Sequence, residues 1–248
     1  MNPLLEICAG SLNSALAAQE GGAHRVELCD NLREGGTTPS LGQIQIARKL
    51  LNITLHVLVR PRGGDFLYSD LEYEIIQEDI DQCKKIGVDG VVVGFLRPDG
   101  CVDYQRLVEV VELSRPMSVT FHRAFDMAKD PIEALNVLKA SGVDRILTSG
   151  QQNSAINGAT LIRDLIAKAG DELIIMPGGG ITVENIDQVM RMTGALEYHA
   201  TLRNTFDGSM RFRRTGISMS GGSNEDEFSI RETDPMLVKQ CVNKLNNK

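Results

Sequence analysis

Residues 118–135 read SVTFHRAFDMAKDPIEAL. Val119 and Phe121 alternate with Thr120 and His122, the two-residue period of a strand whose side chains point to opposite faces. A charged knot, Phe121-His122-Arg123-Ala124-Phe125-Asp126, follows, and then Asp130-Pro131. Aspartate is a favoured helix N-cap, and proline costs no hydrogen bond at the first helical position. The stretch therefore reads as a strand that brings a histidine, an arginine and an aspartate to its C-terminal end before a helix carries the chain back.

The rest of the chain repeats this move. Strand-type runs lie at Leu4–Cys8, Arg25–Cys29, Thr54–Arg60, Gly90–Gly94, Ser118–His122, Arg145–Thr148, Leu173–Met176 and Leu196–His199. Helix-period stretches lie near Asn13–Glu20, Leu41–Leu51, Leu71–Ile86, Tyr104–Leu113, Pro131–Ala140, Leu161–Ala169, Val183–Met192 and Pro235–Leu245. Such alternation argues for a parallel sheet with helices outside it. The segments GAHRVEL, GVDGVVV, GVDRILT and GALEYHA each place a glycine at a helix end just before a strand. Ser40, Asp70, Asp103, Asp130, Thr182 and Asp234 read as N-caps. A doubly wound dinucleotide fold needs GxGxxG after its first strand, and CAGSLNSA lacks it. Polar residues recur at one parity of many strands, which suits a closed interior. The fold class is therefore α/β, a single (β/α)8 TIM-type barrel. Residues 1–248 form one domain, with a long connection at about 201–233.

Composition narrows the function. The chain has 248 residues, a formal charge of −7 and an isoelectric point near 5.2. No long basic run offers a groove for nucleic acid or a patch for an anionic membrane. The one basic cluster, Arg211-Phe212-Arg213-Arg214, reads as a solvated or anion-touching loop. MNPLLEICAG lacks the basic and apolar regions of a targeting segment. Five cysteines without a CxxC pair suit reduced thiols and a cytoplasmic location.

In such a barrel the site lies at the C-terminal ends of the strands. Inward parity gives Glu6 and Cys8, Glu27 and Cys29, His56 and Arg60, Thr120 and His122, and Glu197 and His199. Strands eight, one and two are neighbours, so Glu197, Glu6 and Glu27 form an acidic arc. It needs protonation, arginines or a bound cation, because crowded carboxylates in low dielectric cannot all stay ionised. Arg60, Arg62 and Arg123 stand out as partners. In RPRGGDF, Arg60 and Arg62 flank a proline ahead of two glycines, a pattern that grips carboxylate or phosphate or else forms a tight turn. Gly178, Gly179 and Gly180 follow strand seven and lead into a helix, an anion cradle to which Ser149 adds a donor. His122 is either the general acid or base, oriented by Asp126 and partnered by Glu6 or Glu27, or a satisfied buried histidine. Cys8 and Cys29 sit at equal heights on adjacent strands, either as ligands for a soft monovalent metal or as small buried apolar residues.

Taken together, LEIC, GAHRVELC, EGGTTPS, RPRGGDF, TFHRAFD, RILTSGQ and MPGGGIT resemble the CutC copper homeostasis family. The resemblance runs from about Leu4 to His199 and continues weakly into SMSGG and the final helix. It implies a cytoplasmic barrel that forms a homo-oligomer and handles copper, with Cys8 and Cys29 as its copper(I) thiols. Two functions follow. One is copper(I) binding in copper homeostasis. The other is an enzyme acting by acid/base catalysis on a small anionic or phosphorylated metabolite, held by Arg60, Arg62, Arg123, Ser149, His199 and the three glycines.

Overall fold

The computed structural model describes residues 3–214, 216–217 and 227–246. Its central sheet is parallel throughout. β1 (Leu4–Ala9) lies between β8 (Glu197–Ala200) and β2 (Arg25–Leu28). The order continues through β3 (Thr54–Leu58), β4 (Gly90–Val93), β5 (Ser118–Phe121) and β6 (Arg145–Thr148) to β7 (Ile174–Pro177). A bridge between Gly178 and His199 brings the end of β7 against β8. The eight strands thus close into the expected (β/α)8 barrel. The helices between them are α1 (Leu12–Glu20), α2 (Leu41–Leu50), α3 (Asp70–Ile86), α4 (Tyr104–Ser114), α5 (Pro131–Ser141), α6 (Ala159–Ala169) and α7 (Ile186–Thr193). After β8 come β9 (Arg203–Asp207), β10 (Ser229–Thr233) and α8 (Pro235–Asn246).

Side-chain parity builds two cores. Outward residues such as Val57, Val91, Val93 and Val119 pack with Ile76, Ile80, Leu107 and Val110 of the helices. Branched residues suit these short strands, whose outer faces the helices cover. Inside the barrel, Cys8, Cys29, Leu58 and Val92 form a separate apolar cluster. Charged residues lie around it. The inward list from the sequence is therefore right in parity.

Helix starts follow local hydrogen bonding. Ser40, Asp103 and Asp130 cap α2, α4 and α5 as read; the Asp130 carboxylate accepts from the N–H groups of Ile132 and Glu133 at 2.8 and 2.9 Å. Asp234 likewise accepts from Met236 N at 2.7 Å. Two caps fall elsewhere. Ser69, not Asp70, caps α3: its hydroxyl accepts from Glu72 N while the Glu72 carboxylate accepts from Ser69 N at 2.8 Å, a reciprocal capping box. Asp70 is inside the first turn and pairs with Arg106. α7 begins at Ile186 rather than Val183, because Asn185 Oδ1 takes the Thr182 N–H and holds a separate turn. The glycine loop after β7 therefore does not run directly into a helix. The four glycines before strands, Gly22, Gly87, Gly142 and Gly194, all have positive φ, as the segment pattern implied.

The long connection is a hairpin. β9 and β10 pair antiparallel. Its base is tied down by Thr233 N donating to Ser14 Oγ at 3.1 Å and Thr233 Oγ1 donating to Thr201 O at 3.1 Å. Within the basic cluster, Arg213 pairs with Asp207 and lies over Phe228. SMSGG lies outside the described residues. Among those described, no helix is long and apolar enough to cross a membrane.

Candidate functional site

The acidic arc exists, but its partners are not the expected ones. Arg25, at the start of β2, donates through Nε to Glu6 Oε2 and through Nη2 to Glu197 Oε2 at 2.5 Å. Arg145, at the start of β6, grips both oxygens of Glu197 at 2.5 and 3.1 Å and also reaches Thr120 Oγ1 at 3.2 Å. Glu197, Arg25 and Glu6 thus alternate in charge inside the barrel. The sequence signal for Arg25 was its parity, two residues before Glu27 on the same face. Arginine at a strand's first residue reads as solvent-facing, and here a closed barrel buries it.

Above this chain of charges sits a second cluster. Glu6 Oε1 lies 2.7 Å from His199 Nδ1. The other His199 nitrogen is 3.7 Å from Glu27 Oε2. Cys8 Sγ is 3.5 Å from Cys29 Sγ, and both sulfurs lie within 4.8 Å of a Glu27 carboxylate oxygen. All are buried. Burial opposes charge on Glu6, yet Arg25 and His199 hold its carboxyl well below the ordinary range. Burial and the neighbouring Cys8 push Glu27 well above it. The hydrogen bond with Cys29, followed by contact with His199, lowers Cys8 well below the ordinary thiol value, against burial. Burial raises Cys29. His199 is raised well above 6.5 despite burial, through hydrogen bonds to Cys8 and Glu6. These directions agree with one another. Crowding and burial favour the neutral carboxyl of Glu27, while Arg25, Arg145 and His199 favour charge on Glu6, Glu197 and Cys8.

The remaining candidates occupy other places. His122 is buried. Its Nδ1 accepts from Ala124 N at 3.1 Å, and its Nε2 has no partner among the described residues. Gly94 leaves room for this ring, since a Cβ there would collide with it. Burial, then the charge of Arg60, pushes His122 down to about 3, so the ring is neutral. Asp126 does not hydrogen-bond to it. Its carboxylate accepts from Thr148 Oγ1 at 2.5 Å, from the N–H groups of Ser149 and Gln151, and from Arg123 Nε at 2.7 Å. Arg60 directs its guanidinium to the carbonyls of Glu34, Gly36 and Gly64 at 2.9, 2.6 and 2.8 Å. Arg62 turns to Glu72 and Asp65. RPRGGDF is therefore held as a turn by its own arginines.

A cavity of about 450 Å³ opens at the mouth, over the ends of β7, β8 and β1. Cys8 and His199 line it, together with Arg123, Gly179, Gly180 and Thr201. The arrangement places a thiol pair with adjacent proton-carrying groups beside a space large enough for a small molecule.

Comparison with known proteins follows the same outline. A model of the CutC family matches residues 3–204. A CutC family protein of Chromobacterium violaceum is 51% identical over 239 residues, 96% of each chain. The copper homeostasis protein cutC homologs of Mus musculus and Homo sapiens are 45% and 44% identical over 236 residues, covering 95% of this chain and 87% and 86% of theirs. A solved CutC structure from Streptococcus agalactiae superposes with a TM-score of 0.77 at 36% identity, over 80% of this chain and 98% of that one. Phosphoribosyl anthranilate isomerase from Thermotoga maritima, at 15% identity and a TM-score of 0.59, shares the barrel fold alone. Strand order, closure and full-length similarity converge: the chain belongs to the CutC family.

Proposed function

We propose that the protein binds copper(I) in the cytoplasm as part of copper homeostasis, through Cys8 and Cys29. The observation that carries this reading is the 3.5 Å approach of the two sulfurs inside the barrel, with Glu27 beside them. Soft thiolates select a soft monovalent ion. Cys8 inclines to the thiolate and Cys29 to the thiol, so binding releases a proton chiefly from Cys29 and tightens as pH rises. The names of the mouse and human relatives, copper homeostasis proteins, support the same reading. The experiment is a copper(I) competition titration under reducing conditions. The intact protein takes up copper(I) stoichiometrically, and Cys8→Ser with Cys29→Ser abolishes uptake. Unchanged uptake by the double variant removes the proposal.

The cavity favours a second reading, an acid/base enzyme acting on a small anionic or phosphorylated metabolite. His199, flanked by Glu6 and Glu27, lines that space and takes the proton-carrying role expected of His122. A thermal-shift screen of small metabolites, run with and without copper(I), tests it: stabilisation of metal-free protein supports it, and stabilisation by copper(I) alone rejects it. Self-association belongs to the proposal as well. Phe206 and Ile230 are cross-strand partners on the hairpin and both are exposed, which gives a second copy an apolar surface to cover.

A further inference from the structure

We infer that the mouth cavity is a phosphoryl-binding site whose second arm is Arg203 on the hairpin, an inference that rests on and deepens the enzyme reading. Three independent parts of the chain supply donors to the cavity. Arg123, after β5, presents its guanidinium in a fixed orientation: Nε is bonded to Asp126 Oδ2 at 2.7 Å and Nη2 to Ser149 Oγ at 2.8 Å. Asp126 is itself buried beneath these bonds, with a side chain 7% exposed. Among the described residues, Arg123 Nη1 has no hydrogen-bond acceptor, and a Cβ on Gly179 would stand 3.5 Å from it. The glycine loop is the second part. Gly179 and Gly180 have φ of +98° and +71°, where a side chain is strained. Their carbonyls are engaged by Ala155 N and Asn185 Nδ2, while their N–H groups have no acceptor among the described residues. Arg203 is the third part. It lines the cavity from the hairpin, and its guanidinium has no hydrogen bond or ion pair among the described residues.

The donor set chooses the ligand. Guanidiniums bind oxyanions through charge-assisted, often paired hydrogen bonds, and successive free N–H groups form an anion-binding concavity. Donors from three elements suit the three terminal oxygens of a phosphoryl group better than the two of a planar carboxylate. Glu184 is the one carboxylate of the lining, and it sits exposed at the rim. The cavity is also larger than a phosphate ion needs, so the ligand is the phosphomonoester of a small organic molecule.

The test is isothermal titration of the metal-free, full-length protein with inorganic phosphate, glycerol 1-phosphate and malonate. Both phosphates saturate in the ordinary substrate range, below about 1 mM, and malonate binds more weakly. Arg203→Gln raises the dissociation constant for phosphate by about tenfold or more, the usual effect of losing a charged hydrogen bond. It leaves the unfolding transition unchanged, because Arg203 holds no internal partner. Arg123→Gln produces the same loss. No saturation below about 10 mM, malonate binding as tightly as phosphate, or phosphate affinity indifferent to Arg203→Gln overturns the inference. No turnover is read, so failure here leaves acid/base chemistry on another anion testable by the metabolite screen, and copper uptake is independent of both.

Discussion

Arg25 is nearly sealed inside the barrel between Glu6 and Glu197, and its removal leaves two carboxylates without their shared cation. Truncating one partner of a buried ion pair commonly costs about 3–5 kcal/mol. Arg25→Met is therefore expected to lower the unfolding free energy in urea by several kcal/mol, with Arg145 still satisfying part of Glu197. A loss below about 1 kcal/mol, the surface ion-pair range, would place Arg25 in solvent. The histidines set a second expectation. Burial and Arg60 hold His122 down at about 3, and burial holds His56 down at about 4. In the unfolded chain both protonate near 6.5. Between those values the unfolded chain binds protons that the folded chain refuses, so their contribution is full above about pH 6.5 and declines as pH falls. His199 works in the opposite sense: its contribution is complete below 6.5 and is lost as pH rises through its raised folded value. His122→Asn removes one depressed histidine. Between pH 6.5 and 5 the unaltered protein should then lose about 2 kcal/mol more than the variant. Equal losses in urea titrations would mean that His122 is not held neutral by burial. The thiols, Glu6, Glu27 and His199 were legible because strand parity alone turns them inward. Arg25 and Arg145 share that parity but stand at the first residue of their strands, where an arginine reads as solvent-facing.

Segments, unlike pairings, follow from local chemistry. Short runs of apolar and alternating residues between turn signals place strand limits that differ by at most two residues from those observed, as at Thr54–Leu58 and Glu197–Ala200. Cap choice was harder where two capping residues stand together. Ser69 and Asp70 are both favoured types, and the choice turns on Glu72, which lies three residues past Ser69 and closes the box. Ser69→Ala is accordingly expected to cost about 1 kcal/mol. Asp70→Ala, which loses only the Arg106 pair of an exposed carboxylate, should cost far less. Equal costs by thermal unfolding would return the cap to Asp70. The turn at residues 183–185 reads as helix for a related reason. Its residues permit a helix, but Asn185 takes the Thr182 N–H and restarts the count.

At the scale of the molecule, the hairpin stands outside the eight-stave plan. The family model ends at residue 204, and β9 and β10 pair with each other rather than with the barrel. Their base is bound to α1 and to Thr201 through Thr233, whereas Phe206 and Ile230 are exposed. An exposed ribbon with a shared apolar face is a natural template for a second copy. Replacing residues 208–228 by an Asn-Gly turn preserves both strands, because a two-residue type I′ turn matches their twist. The base contacts survive, so the shortened protein should fold into the same barrel, judged by its circular dichroism. The consequence lies in association. If copies meet through the hairpin, the intact protein melts at a temperature that rises with its concentration, as mass action requires. The shortened protein then melts at a fixed temperature and sediments as a monomer. An intact protein that is already monomeric, or a shortened one that associates as before, would assign the hairpin to the cavity alone, which Arg203 of β9 and the glycine loop both line.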